Sequence, residues 1–294
     1  GVTTQYRSGN HNLSFGFSAN MNENVNYVKN LGTETTAGKG EWQFTLAPDL
    51  DYSYSKDSFS TNVYYFGSTQ QPSNSQMSPT LNLGNPTMIS AGNIYLKQYM
   101  YHYLGGYVRH NNRENFSYVN ARFSGNMEQN AIVQASWFDR NAIRYSVPVN
   151  SRKPSYRLSG TLTYNQPFGE KRYWTFSTYA DVSYSASAGY QAKEELEGMD
   201  IEEFDYNDFM SEFWGNSSGD RFYSGDSGFS ESKMTTLHYA LDLGLKYQRD
   251  RFNASVHAYG RNQISKYSLD PDANADTWMH SYSVDARYTT LKNW

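Results

Sequence analysis

The amino-acid sequence predicts an all-β protein, an antiparallel up-and-down transmembrane β-barrel of which about ten strands lie within residues 1–294. Three observations predict it. Apolar and polar side chains alternate along several segments, aromatic residues bracket the apolar rows, and short connections alternate with long ones along the chain.

The clearest segment is Thr236–Gln248. Leu237, Tyr239, Leu241, Leu243, Leu245 and Tyr247 alternate there with Thr236, His238, Ala240, Asp242, Gly244 and Lys246. Successive side chains on a strand point to opposite faces, so this strand has one apolar and one polar face. The same pattern recurs in Tyr156–Tyr164, Trp174–Tyr184 and Tyr282–Tyr288. In the strands from Tyr156, Trp174 and Tyr239 the bracketing aromatics stand 8 to 10 residues apart. At about 3.3 Å per residue and a tilt near 40°, that spacing covers roughly 20 to 25 Å along a membrane normal, close to the apolar band of an outer-membrane barrel. A Lys or Arg facing lipid at mid-membrane costs about 2 to 4 kcal/mol, so Lys246, Arg157 and Arg287 are expected to face the lumen.

Composition agrees. Aromatic residues make up 17% of the chain, with 27 tyrosines, and there is no cysteine, which excludes disulfide stapling and metal–thiolate sites. No run of about 18 apolar residues exists to form a membrane-spanning helix. The mean hydropathy of -0.78 is compatible with a barrel, in which only every second strand residue meets lipid. No export signal is visible, and the residues from Leu13 already read as strand, so the sequence is expected to be a mature form or an internal piece.

Ten crossing strands fall at about 11–21, 41–55, 58–68, 97–110, 114–127, 154–166, 171–186, 232–249, 251–266 and 278–291. Short turns are expected at Lys56–Asp57, Asn111–Arg113, Pro167–Glu170 and Arg249–Arg251. Long connections are expected at 22–40, 69–96, 128–153, 187–231 and 267–277, the first of these sets periplasmic and the second exterior. The pattern places both chain ends on the periplasmic side. Within 128–153, Ala131–Phe138 and Ala142–Val149 read as a hairpin around Asp139–Asn141 that projects beyond the membrane.

Charge is uneven. Residues 187–231 hold 12 acidic and 2 basic residues, a balance of -10, which leaves +6 on the rest of a chain whose net charge is -4. A solvated loop is the plain reading. A cation site is disfavoured because Asp205, Asn207 and Asp208 lack the spacing of a calcium-binding loop. The histidines (11, 102, 110, 238, 257 and 280) are scattered. His238 and Asp242 share one face of a strand, but no nucleophile accompanies them. Gly105, Gly106, Gly160 and Gly244 inside strands are expected to mark bends or close approach. The sequence offers no catalytic, cofactor-binding or metal-binding constellation and no nucleic-acid signature.

The segment 69–98 carries a resemblance. It holds Pro72, Ser73, Gln76 and Pro79, then Asn85–Pro86, then Gly92–Asn93 and Leu96–Lys97, and Pro148–Val149–Asn150 follows later. This resembles the barrel of the TonB-dependent receptors of Bacteroidetes, in the outer membrane protein beta-barrel family. That family tends to carry P-S-x-x-Q-L-x-P, S-N-P, I-x-x-G-N-P-x-L-K-P-E and a later P-V-N in this order. The sequence departs from it at Gly84, Ile94, Gln98 and Tyr99. The resemblance implies an outer-membrane receptor that imports a nutrient ligand, driven by the TonB complex, through a barrel of about 22 strands plugged by a separate domain. Residues 1–294 would then be a partial barrel domain without its plug, ending in a turn at Leu291–Asn293 before a further strand. TonB would act through parts of the receptor outside it, a surface lipoprotein is a possible partner, and outer-membrane lipid surrounds the wall. Phe204, Phe209, Phe213 and Trp214 of the acidic loop are expected to help close over cargo or a partner. Two other readings stay open: a complete ten-stranded barrel acting as a pore, adhesin or enzyme, and a soluble β protein that binds carbohydrate through its tyrosines.

Overall fold

The computed structural model describes residues 1–30, 33–192 and 194–290. Lys193, and the turn read at Leu291–Asn293 with Trp294, lie outside the described residues. The protein is all-β, with one large, mostly antiparallel sheet. Its strands are β1 (Val2–Ser8), β2 (His11–Asn30), β3 (Thr33–Lys56), β4 (Phe59–Gln70), β5 (Leu81–Asn85), β6 (Met88–Ala91), β7 (Tyr99–Asn111) and β8 (Tyr118–Gln129). They continue with β9 (Ile132–Phe138), β10 (Arg144–Asn150), β11 (Ser155–Phe168), β12 (Trp174–Ala192), β13 (Phe229–Arg249), β14 (Phe252–Tyr267) and β15 (Ala275–Tyr288). Short helices α1 (Asn74–Met77), α2 (Tyr206–Phe213) and α3 (Asp220–Ser224) lie in the long connections.

Eleven strands form one antiparallel ladder in the order β1-β2-β3-β4-β7-β8-β11-β12-β13-β14-β15. All ten strands expected from the sequence are present, and β1, whose pattern of apolar residues is too thin to reveal it, adds one more. Its turn at Gly9–Asn10 joins the other short turns, so Gly1 lies partway toward the opposite end, with Val2 beside Phe17. This corrects the expectation that both chain ends share the short-turn side. Among the described residues, the end of β15 fits it, where Tyr288 pairs with Phe252 beside a short turn. Short turns form where the backbone must enter the left-handed region, and Asp57 (φ 51°) and Asp250 (φ 47°) supply residues that tolerate it. β1 pairs only with β2, and β15 only with β14, among the described residues.

Register makes the alternation a property of the whole ladder. Leu241 stands opposite Ala180 and Gly260; Ala180 stands opposite Leu162, Leu162 opposite Ala121, and Ala121 opposite Val108. Directly opposite residues share a face. The apolar rows of neighbouring strands therefore merge into a single belt, which reaches Leu13 and Phe15 through Val63, Tyr52 and Leu50. Lys246, Arg157 and Arg287 fall on the other face, as the sequence reading expects.

The belt is the exposed side. Leu241 is 46% exposed and Val256 50%, whereas Ala240 on the polar face of β13 is 4% exposed. In a water-soluble sheet the apolar row would be the covered one. The polar face is tied by side-chain contacts across strands. His238 Nδ1 lies 3.0 Å from Asp181, and Ser124 and Ser159 share a 2.6 Å hydrogen bond. Gly106 allows close approach: a Cβ there would meet the Asn62 carbonyl and the Phe123 ring. No helix among the described residues is long and apolar enough to cross a membrane, which bears only on helices.

The belt yields a prediction. Leu241→Arg and Leu243→Arg place charge on the exposed apolar face, each at a cost of about 2 to 4 kcal/mol if that face meets hydrocarbon, while Asp242→Asn alters only the polar face. Heat-modifiable gel mobility of the full-length protein in membranes should show impaired assembly for both arginine variants and normal assembly for D242N. Equal tolerance of all three would overturn the assignment of faces.

Candidate functional site

Three of the expected long connections, at the end opposite the short turns, form no open fringe, while the one expected at 22–40 is instead a continuation of β2 and β3, paired out to Asn30 and Thr33. Residues 69–98, 129–154 and 187–231 pack into one cap, and the main hydrophobic core of the protein lies there. The hairpin read at 131–149 is present as β9–β10. β6 pairs in parallel with β10, and β9 in parallel with the top of β12, at Tyr190 and Gln191. The cap is thereby continuous with the sheet.

The signature residues build this junction. Ser73 caps α1: its Oγ accepts from the Gln76 N–H at 3.4 Å, and Gln76 Oε1 accepts from the Ser73 N–H at 2.9 Å. This reciprocal capping box uses the S-x-x-Q spacing. Pro72 leads into it, and Pro79 is buried just past it. Gly92 lies against the backbone of Gln76 and Ser78, with the Gly92 N–H donating to Ser78 O at 3.0 Å. A Cβ would collide there, so only glycine fits. Asn93 is fully buried; its Nδ2 donates to Pro148 O at 3.1 Å, and its Oδ1 accepts from the Tyr95 N–H at 2.9 Å. Asn150 answers from the other segment. Its Oδ1 accepts from the Lys97 N–H at 2.8 Å, and its Nδ2 donates to the carbonyls of Lys97 and Asn130, both at 2.9 Å. Leu96, Pro148 and Val149 are buried around these bonds. Asn85 and Pro86 stand apart, at the exposed β5–β6 tip, where Asn85 Oδ1 accepts from the Thr87 N–H at 3.0 Å. The signature is a buckle between two loops, and among the described residues none of it lines a reaction centre.

The acidic segment closes over the buckle as a folded unit rather than a solvated loop. Asp205 caps α2 by accepting from the Asn207 and Asp208 N–H groups at 2.8 and 3.1 Å. Tyr206, Met210 and Phe213 recur at i, i+4 and i+7 and bury one face of the helix. Phe213 and Trp214, 6% and 2% exposed, lie in the core of the cap, with Phe204 and Phe209 packed against it. The Tyr206 hydroxyl donates to Gly92 O at 3.2 Å and accepts from the Ile94 N–H at 3.1 Å, and burial pushes its pKa well above the ordinary phenol range. The Tyr223 hydroxyl donates to Asn150 O at 2.6 Å beneath the Arg152 guanidinium, 4.2 Å from its ring. Burial pushes the Tyr223 pKa up to about 12, against a smaller opposing effect of Arg152. Tyr206 and Tyr223 carry roles that the sequence reading missed. The helical spacing of 206–213 was the available signal for the first, and Tyr223 has none.

Beside this core a cavity of about 520 Å³ is walled by Trp137, Phe209, Phe213 and Phe229, with Glu197 and Glu212 at its lining. On the sheet, His238 and Asp242 each take a different partner: His238 takes Asp181, and Asp242 takes His257 at 3.5 Å. No group of three or more metal-ligating side chains occurs among the described residues. No protein-family model matches the chain, and no curated protein is significantly similar to it.

The buckle is testable. Asn150→Ala removes three hydrogen bonds made by a buried side chain to the backbone of Lys97 and Asn130, at about 1 kcal/mol each, and more for any group that water does not reach. Limited proteolysis should then cut the cap while the sheet stays intact. A second test uses pH. The folded state favours the protonated Tyr223 phenol, so its stabilisation is complete below the ordinary value of 10 and is lost as pH rises toward about 12. Protease susceptibility of the cap should rise across that window, and it should rise less in Tyr223→Phe.

Proposed function

We propose that residues 1–294 are the wall and exterior cap of part of an outer-membrane receptor barrel, which takes up a nutrient under the drive of the TonB complex. The observation that carries the membrane reading is the continuous, exposed apolar belt across the eleven-strand ladder. Contiguous apolar surface of this extent is unfavourable in water and favourable against lipid. The placement of connections supports it as well, with tight turns at one end and the folded cap at the other. Among the described residues the outer edges of β1 and β15 are unpaired, and in hydrocarbon such edges, at several kcal/mol per unpaired group, would need further strands beside them.

The TonB-dependent reading rests on the order of the signature residues from Pro72 to Lys97 and at Pro148–Asn150. On this reading the buckle holds the exterior rim in a fixed shape around the mouth, where a nutrient ligand or a surface lipoprotein would meet it. Cargo passes without covalent change.

Two measurements test the proposal. Cysteines introduced one at a time should be labelled by an impermeant thiol reagent on intact cells at Ser217, in the cap, and not at Gly169, in a short turn. Residues 1–294 contribute no native cysteine to the readout. The reverse pattern would refute the topology. The full-length protein should import its ligand only with TonB and a proton motive force. Undiminished uptake without TonB would favour a passive pore, and processing of the ligand by purified protein would favour an enzyme.

A further inference from the structure

The apolar row of β13 ends in a cation. Leu241, Leu243, Leu245 and Tyr247 are followed on the same face by Arg249, which stands opposite Phe252 at the β13–β14 turn. Two cavities meet at this point. One, of about 230 Å³, is walled by Trp174, Leu245, Tyr247, Phe252 and Val256, all on the exposed apolar face. The other, of about 640 Å³, is lined by Arg249, Asp250, Arg251 and Tyr288 and shares Tyr247 and Phe252 with the first. An apolar depression and a basic one thus share a wall at Tyr247 and Phe252.

The walls are ordered by ring contacts. Trp174 and Tyr247 have centroids 4.8 Å apart, and Tyr247 and Phe252 6.1 Å. Arg249 is positioned 5.5 Å over the Tyr173 ring and 3.6 Å from Asp250. Arg251 has no ion-pair partner among the described residues. Two arginines against one aspartate leave a local charge of +1.

We propose that this site binds a glycerophospholipid with an anionic headgroup, one acyl chain lying in the Trp174–Val256 groove and the phosphate on Arg249 and Arg251. Arginine suits phosphate because its planar guanidinium offers paired donors. Its aliphatic stem can run along the apolar surface while its head reaches the interface. The surplus positive charge selects an anionic headgroup over a zwitterionic one, because a zwitterion would bring an ammonium next to the unbalanced arginine. The proposal rests on the membrane reading above and adds a specific lipid at one seam of the wall.

The test uses the full-length protein reconstituted in vesicles of mixed phosphatidylglycerol and phosphatidylethanolamine, re-extracted in mild detergent, with retained lipid measured by native mass spectrometry. The wild type should retain phosphatidylglycerol above its share in the vesicle. Arg249→Gln and Arg251→Gln should each weaken that preference roughly five-fold. Val256→Trp, which fills the groove without changing charge, should lower retention of both lipids at the site. Excess inorganic phosphate should not displace the lipid; displacement would show a plain anion site and overturn the acyl-chain assignment. Equal enrichment in the wild type and the double arginine variant, or no enrichment in the wild type, would overturn the proposal while heat-modifiable mobility shows the wall assembled. Failure of the wild type to assemble would overturn the membrane reading, and the lipid site with it.

Discussion

Everything in this structure depends on which face of the ladder is left open. Neighbouring strands pair so that apolar residues meet apolar residues from β2 to β15. The face they create is the uncovered one. Backbone hydrogen bonding alone would allow any register. A slip of one residue would send Leu241, Leu243 and Leu245 to the polar face and bring Asp242 and Lys246 onto the apolar one. Against hydrocarbon that exchange is prohibitive, so lipid would fix the register as firmly as a packed core fixes it in a soluble sheet. The ladder needs no interior of its own if its solvent is apolar.

The packed interior of the protein lies elsewhere. Ile89, Trp137, Val147, Val149, Phe213 and Phe222 meet in the cap, above the sheet. Segments far apart in sequence must be brought together there, and the entropy of ordering them is large. Buried amides offset part of it: Asn93 and Asn150 each bond to backbone on the opposing segment, and the hydroxyls of Tyr206 and Tyr223 bond to the same backbone from the acidic segment. Such a junction has little tolerance. Each donor is matched to a carbonyl, and a mismatch would leave a polar group buried without a partner.

The strands were legible because a period of two is local and needs no knowledge of the partner. In several strands aromatics marked both edges of the apolar row, and residues that accept left-handed backbone marked several of the turns. β1 escaped because Val2–Ser8 shows only Val2 and Tyr6 among its apolar positions, a pattern too thin to read. The hairpin at 131–149 was legible from its alternation. The cap was not, because its order comes from long-range contacts: the Tyr206 hydroxyl lies against the carbonyl of Gly92, 114 residues away in sequence. The abundance of Asp and Glu in 187–231 suggested solvation and concealed an amphipathic helix in the same stretch. The signature residues were legible as a group. Their physical role, joining two loops, emerged only once Pro148–Asn150 was seen beside Asn93.

The same arrangement separates charge along the molecule. Every acidic residue from Glu194 to Asp226 is exposed, because the inward positions are occupied by aromatic and methionine side chains. The acidity is therefore displayed on a surface of fixed shape. At the other end, the short turns and their flanks carry Lys56, Arg113, Lys171, Arg172, Arg249 and Arg251 against Asp57, Glu114, Glu170 and Asp250. The intervening belt is roughly 20 to 25 Å deep, while charges in physiological salt are screened over about 8 Å. The two ends thus act on their surroundings independently. A basic molecule at the cap would feel little of the turns, and the lipid headgroup proposed at the turns would feel little of the cap. Alternation along each strand sets the belt, and the belt keeps the two charged ends apart.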